Sequence, residues 1–250
     1  MSGPLTPREV AVAAKGPIGI LGGAWMTGPA EEAATEAADL EGWQLYFLGR
    51  HGVLGDVDAD VVLAAAYVFP AGHLRREWEA ARQKMTAAEG LERYLALCHT
   101  WGEEHLADFP DAGRLADLGQ AVIDASDLVA LPLFAGWRAL PLPTSAGARC
   151  AHVCQVLREH RGACHGVALA ALQMDPLMAI LTNLGGEANA IDYGWQPPFP
   201  TPTDDDRALR DRVEVLTDDL VAPAYETLDS SDAAELLDLL EAAQEHASSQ

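Results

Sequence analysis

The chain has 250 residues, 38 of them acidic and 16 Lys or Arg, giving a formal net charge of -22 with 49% hydrophobic and 6% aromatic residues. A chain this long can bury a core as one large or two small domains, and its apolar content is that of a folding protein. The charge argues against general nucleic-acid binding, which depends on cations that neutralise phosphates, unless the few cations cluster; it disfavours anionic membranes for the same reason.

Ala, Leu, Glu and Asp dominate and alternating Val, Ile and Thr runs are almost absent, so the expected fold class is all-α, a multi-helix bundle in which any strand is short. Pro7 starts a first helix and Gly16 ends it, and Pro29 opens a second that runs to Leu40. Further helices are expected at Glu41 to Leu48, Ala59 to Phe69, Ala71 to Gln83, Thr86 to Leu106, Ala112 to Val129, Ala146 to Glu159, Cys164 to Gln173 and Asp175 to Leu184. Asp175-Pro176 is a good helix start, since Asp accepts from orphan amides and proline lacks one to lose. Leu140 to Pro143 reads as a proline-interrupted connector, and Trp195 to Asp206, with four prolines and then three aspartates, as a linker or extended arm. Arg207 to Tyr225 and Ser231 to Ala247 close the chain. The expected organisation is therefore a helical ligand-binding core over residues 1–195, a Pro/Asp-rich linker over 196–206, and C-terminal helices over 207–250 that pack back on the core. The leucine stripe of the last helix is short, which favours internal docking over a homodimer seam and leaves the oligomeric state open.

The longest apolar runs, Val61 to Phe69 and Leu128 to Trp137, fall far short of the roughly 20 residues of a spanning helix. Gly16 to Met26 is apolar but glycine-rich and without a cleavage site, so it reads as mature structure. Cys98, Cys150, Cys154 and Cys164 sit in a chain too large to need staples, which predicts reduced thiols and a cytoplasmic protein. Gly16 to Gly23 has no preceding strand and no following Gly-Lys-Ser/Thr, so it is no phosphate loop; as a loop or helix N-terminus its small side chains would leave space for a bulky apolar ligand.

Reactive side chains are densest from Cys150 to His165. At about 100° per residue, His152 and Glu159 share one helical stripe with His160 on its flank, while Arg158, Arg161 and His165 share another. Gly162 is expected to loosen or end the helix. Imidazole titrates near neutrality, and a guanidinium holds oxyanions without titrating. The catalytic expectation is His160 as acid or base, Glu159 as its orienter, and Arg161 and His165 holding substrate oxygens. The structural alternative is an interior polar knot with Glu159 paired to Arg50 or Arg161. Arg50, His51, His152, Arg158, Trp25 and Tyr46 form the expected ligand-binding set; Trp43, Phe47, Tyr67 and Phe69 are further wall candidates, against a default of core packing. Cys150/Cys154 and His160/Cys164 each have i,i+4 spacing, but a metal site needs more ligands and no C-x-x-C or H-E-x-x-H is present. No metal or cofactor is therefore expected, with haem or a transition metal the minor alternative. His73, His99, His105 and His246 read as surface residues.

Several segments carry a resemblance: Tyr46-Phe47-Leu48-Gly49-Arg50 with Leu54-Gly55, Leu131-Pro132-Leu133-Phe134 through Pro143, Leu157-Arg158-Glu159-His160-Arg161-Gly162 with His165, and Thr217-Asp218 to Leu228. In this order they resemble a family of actinobacterial all-helical proteins labelled helix-turn-helix for a winged-helix-like C-terminal part. The resemblance implies a helical fold and a histidine-arginine centre. It also marks departures: glycines at Gly16 and Gly19 where a glutamate and a histidine are usual, Ala163 and Cys164 where an acidic residue and glycine are usual, and a C-terminal part degenerate after Gly194-Trp195. In that part Arg207, Arg210 and Arg212 alternate with Asp204, Asp205, Asp206, Asp211 and Glu214, so the charges cancel where a DNA-reading helix would need cations.

The expected function is cofactor-independent acid-base chemistry (cyclisation, isomerisation, dehydration or hydrolysis) on a small hydrophobic metabolite of actinobacterial specialised metabolism. The alternatives are a ligand-binding or self-resistance protein without turnover, and a winged-helix-type transcriptional regulator. The expected partner is that metabolite, with neither nucleic acid nor membrane.

Overall fold

The computed structural model describes residues 4–249; the outermost positions of the expected first and last segments lie outside it. In chain order the helices are α1 (Pro7–Gly23), α2 (Pro29–Ala37), α3 (Gln44–Arg50), α4 (Ala59–Ala65), α5 (Ala71–Lys84), α6 (Ala87–His105), α7 (Ala112–Ala125), α8 (Pro132–Arg138), α9 (Ala146–Leu172), α10 (Pro176–Leu181), α11 (Gly186–Asp192), α12 (Asp204–Val221) and α13 (Ser230–Ser248), with short 3-10 turns at Gly52–Leu54 and Ala222–Thr227. Among the described residues there is no strand, hence no wing, and no helix is long and apolar enough to cross a membrane.

The architecture is organised around α9, whose 27 residues make a rod of roughly 40 Å. Helices α1, α6, α7, α8 and α12 all pack on it. It is one helix, not the two expected on either side of Gly162. A mid-helix glycine costs only about 1 kcal/mol, and the residues flanking this one are held by packing: Glu159, His160 and Cys164 are buried before and after it. Glycine is instead required where α6 crosses α9, because a Cβ on Gly102 would stand 2.6 Å from the Gly147 carbonyl oxygen.

Helix α1 likewise runs through Gly16 and Pro17, the expected stop. Val10, Ala14, Ile18, Leu21 and Gly22 continue one buried stripe across the Gly-Pro pair, and burial of that stripe outweighs the lost backbone bond. Gly16 to Gly23 is thus helical, neither a loop nor a helix N-terminus. Near its end α1 meets α9 closely: a Cβ on Gly22 would lie 2.7 Å from the Cys154 carbonyl oxygen.

The C-terminal region differs from expectation at one boundary. Asp204, Asp205 and Asp206 are not linker but the first turn of α12, capped by Thr203, whose hydroxyl and the Asp206 carboxylate satisfy each other's backbone amides. Three carboxylates at a helix N-terminus suit its dipole. Residues 196–203 remain non-helical. The preceding Trp195 is tied to the core through Nε1, which donates to the Val68 carbonyl at 2.9 Å. Helix α13 buries Ala233, Leu236, Leu240 and Ala243, and packs on α1 and α7, so its leucine stripe is used inside the molecule. Helices α8 and α11 form where none was expected, whereas Leu140 to Pro143 is non-helical. All four cysteines are buried free thiols.

Candidate functional site

Helices α1 and α9 touch at Gly22 and Cys154. Between them, roofed by α3, α10, α11, α12 and the chain after α4, lies a cavity of about 510 Å³. Arg158, Arg161, Gly162, His165 and Leu169 reach it from one face of α9, and Lys15, Ile18, Gly19 and Gly23 from α1. Trp43, Tyr46, Phe69 and Tyr193 make an aromatic wall whose rings meet edge-on or tilted, with Trp43 centred 4.9 Å from Tyr46, 5.4 Å from Phe69 and 5.9 Å from Tyr193. Tyr67 closes another side, its hydroxyl donating to the Gly162 carbonyl at 2.8 Å.

Five of the sixteen Lys and Arg residues line this one cavity: Lys15, Arg50, Arg158, Arg161 and Arg210. They fall into two groups. In the first, Arg50 grips Glu159 with Nε and Nη2, both at 2.8 Å, and donates through Nη1 to the Tyr46 hydroxyl at 2.7 Å. Glu159 is fully buried and also accepts from Gln155 at 2.8 Å. Burial pushes its carboxyl up, but the charge and hydrogen bonds of Arg50, with Arg158 and His51 nearby, outweigh burial and hold it below its ordinary value. In the second group, Glu214 takes Arg161 at 2.9 Å and Arg210, and Asp218 takes Arg161 at 2.7 Å. Lys15 stands further off, 3.8 Å from Glu214 and 3.9 Å from Asp218. Each group therefore contains one more cation than carboxylates.

His165 lies beside the second group with its Nδ1 3.0 Å from the Thr217 hydroxyl. That hydroxyl spends its own proton on the Val213 carbonyl at 2.7 Å, so it can only accept from the imidazole. Nδ1 therefore carries the proton and Nε2 is left with a lone pair. Burial, reinforced by Arg210 and Arg161, pushes the His165 pKa down to about 4, so the ring is neutral at pH 7. This is a neutral imidazole of fixed tautomer lining a cation-rich cavity.

The sequence-predicted set divides. Arg158, Arg161, His165, Arg50 and Tyr46 converge on the cavity, with Glu159 one layer behind Arg50. His160 does not: it faces the opposite side of α9, its ring 4.7 Å from Phe134 and Nδ1 3.5 Å from the Ser126 hydroxyl. Glu159 consequently orients Arg50, not His160, because consecutive residues on a helix point about 100° apart. His152 is buried against the half-buried His99, ring nitrogens 3.0 Å apart. His51 is fully buried with Nδ1 on the Phe47 carbonyl. Trp25 stacks edge-on against Tyr94 and Phe47 packs behind Phe69, so neither ring reaches the cavity. Among the described residues no three His, Cys, Asp or Glu converge as a metal would need. Lys15, Tyr193, Arg210 and Glu214 were missed; the i,i+4 spacing of Arg210 and Glu214 was the available signal.

No curated protein and no solved structure matches the chain. The helix-turn-helix family matches it over residues 18–198, a span that takes in α3, α9 and most of the cavity wall, and the chain belongs to that family.

Proposed function

We propose that the protein is an enzyme of cofactor-independent acid-base chemistry acting on a small apolar metabolite, with His165 as the base. The observation that carries this reading is the fixed tautomer of His165, a residue lining a cavity bounded by aromatic rings and surplus cations, which leaves Nε2 with a free lone pair. In the proposed step Nε2 removes a proton from a substrate carbon. The electron pair left behind spreads onto an adjacent carbonyl oxygen, where Lys15 and Arg161 stabilise the developing negative charge. The Nε2-bound proton exchanges with solvent; its return to a different carbon isomerises the substrate, whereas departure of a β-hydroxyl with its C–O electron pair, protonated to water by Nε2–H, as the enolate's pair forms the new C=C, dehydrates it. The setting that fits is specialised metabolism in an actinobacterial cytoplasm.

The family label raises duplex DNA as the competing partner. Distribution of charge favours the small molecule: eleven of the sixteen Lys and Arg residues have a carboxylate within 4.0 Å, and Arg76, Arg93, Arg138, Arg207 and Arg212 are spread over α5, α6, α8 and α12.

The test is solvent-deuterium incorporation. Wild-type protein incubated in D2O with a panel of aromatic ketones and keto acids is expected to exchange an acidic carbon-bound hydrogen of at least one member, read by mass spectrometry. His165→Gln should reduce that exchange at least 100-fold, while His160→Gln leaves it within threefold. A panel that binds without exchange would support sequestration, and a duplex shifted at physiological salt by wild type would support the regulator.

A further inference from the structure

The four guanidinium groups on the cavity are not equivalent. Arg50 has all three nitrogens engaged, two on Glu159 and one on Tyr46. Arg161 is held between Glu214 and Asp218, and Arg210 is held by Glu214. Arg158 has only a 3.4 Å approach to Glu159 Oε1, an oxygen that already accepts from Arg50 and Gln155 at 2.8 Å each. One carboxylate cannot neutralise two guanidiniums, and Arg50 has the closer and bidentate claim. The surplus charge of this end is therefore that of Arg158, whose side chain is 31% exposed and crosses α1 at Gly23, where a Cβ would touch its Nε at 3.4 Å.

The opposite pole is His165. It lies seven residues further along α9 on the same face, about 10 Å by helical rise. Beside this line stand Trp43, Tyr46 and Phe69, a surface for a flat conjugated body. Within α1, a Cβ added to Gly19, which lines the cavity, would meet nothing within 4 Å.

We infer that the ligand of this cavity is an anionic amphiphile: an oxyanion held by Arg158, an aromatic or conjugated body on the ring wall, and its reacting end about 10 Å away at His165. The inference rests on the reading of this cavity as the substrate site and adds the class of substrate. Carboxylate and phosphate share the chemistry that Arg158 recognises.

The probes are 8-anilinonaphthalene-1-sulfonate and N-phenyl-1-naphthylamine, the same aromatic skeleton with and without an anion, titrated by fluorescence. The sulfonate should bind wild type at least tenfold more tightly. Arg158→Ala should weaken the sulfonate at least tenfold and the neutral amine less than twofold, with Arg158→Lys intermediate. Circular dichroism checks that each variant is folded; if Arg158→Ala is not, Arg158→Gln takes its place. Displacement of bound sulfonate by 1-naphthaleneacetate or by 1-naphthyl phosphate supports the inference and tells which oxyanion is preferred. Equal affinity for the two dyes, equal loss of both in Arg158→Ala, or displacement only by neutral 1-naphthalenemethanol overturns it. Absence of deuterium exchange in wild type together with sulfonate binding that still depends on Arg158 would overturn the base chemistry and leave the anion site standing, so the two failures give different results.

Discussion

Glu159 illustrates how one side chain can matter to a site without touching its ligand. Its carboxylate is fully buried, and it keeps the Arg50 guanidinium fixed against Tyr46. Removing one member of such a pair leaves the other charge buried and unpaired, which typically costs about 3–5 kcal/mol. Glu159→Gln should lose stability of that order in urea titrations, and Glu159→Gln combined with Arg50→Met should recover part of it; additive losses would show that the pair is not coupled. The stripe of Arg158, Arg161 and His165 could be read from spacing alone, because helical periodicity sorts residues by face. The placement of His160 could not: residues dense along the chain are not thereby close in space, because a helix turns neighbours in sequence toward different layers. His165 belongs to the expected catalytic set as a holder of substrate oxygens; its tautomer is not legible in the sequence because it is set by Thr217, a residue 52 positions away.

Three helices meet α9 through missing side chains: α1 at Gly22, α6 at Gly102 and α7 at Gly119. At the crossing of α6 with α9, Gly102 and Gly147 each leave room for the other's backbone. Gly147→Val would drive the helices apart and should destabilise by at least about 2 kcal/mol, the penalty range for overpacking. Gly19 is the control within α1: it is helical and has open space beyond its Cα. Gly19→Ala should raise stability by roughly 0.5–1 kcal/mol through helix propensity, while weakening dye binding because the methyl enters the cavity; a gain in stability with unchanged binding would place the ligand elsewhere. Helix existence was largely legible from composition, capping and stripe, as in α6 with its Thr86 and Glu89 box. Helix ends were not. Gly162, Gly16 and Pro17 are local stop signals overruled by neighbours that only tertiary packing brings, and the three aspartates of α12 look like linker until Thr203 is seen capping them.

On the scale of the whole molecule, the interior holds four histidines that burial keeps neutral: His51, pushed to about 3, and His152, His160 and His165, each to about 4. Unfolded, they would titrate near 6.5. Because their folded pKa values are lower, the unfolded chain binds more protons between pH 6.5 and 4, so stability rises with pH through that window and falls as acid is added. The slope should approach four protons, on the order of 5 kcal/mol per pH unit at its steepest, measurable by denaturant titrations at half-unit pH steps. A slope below one proton would mean that the rings are already charged in the folded state. Net charge was visible from the outset, but its partition was not: a third of the cations face one cavity from helices far apart in sequence, while carboxylates dominate elsewhere.

The rod at the centre has a consequence for how the protein could change. Its amides are covered by five other helices, so α9 should exchange hydrogen with solvent only by global unfolding, whereas α10 and α11, six and seven residues long with Leu184 exposed at the turn between them, should open locally. The residues with charge chemistry sit on the slow-exchanging element, and Ile180, Asn183 and Asn189 of the rim sit on or between the fast ones. The shape of the cavity can thus be retuned at these short helices by mutation or by drift without disturbing α9, the element that bears Arg158, Arg161 and His165.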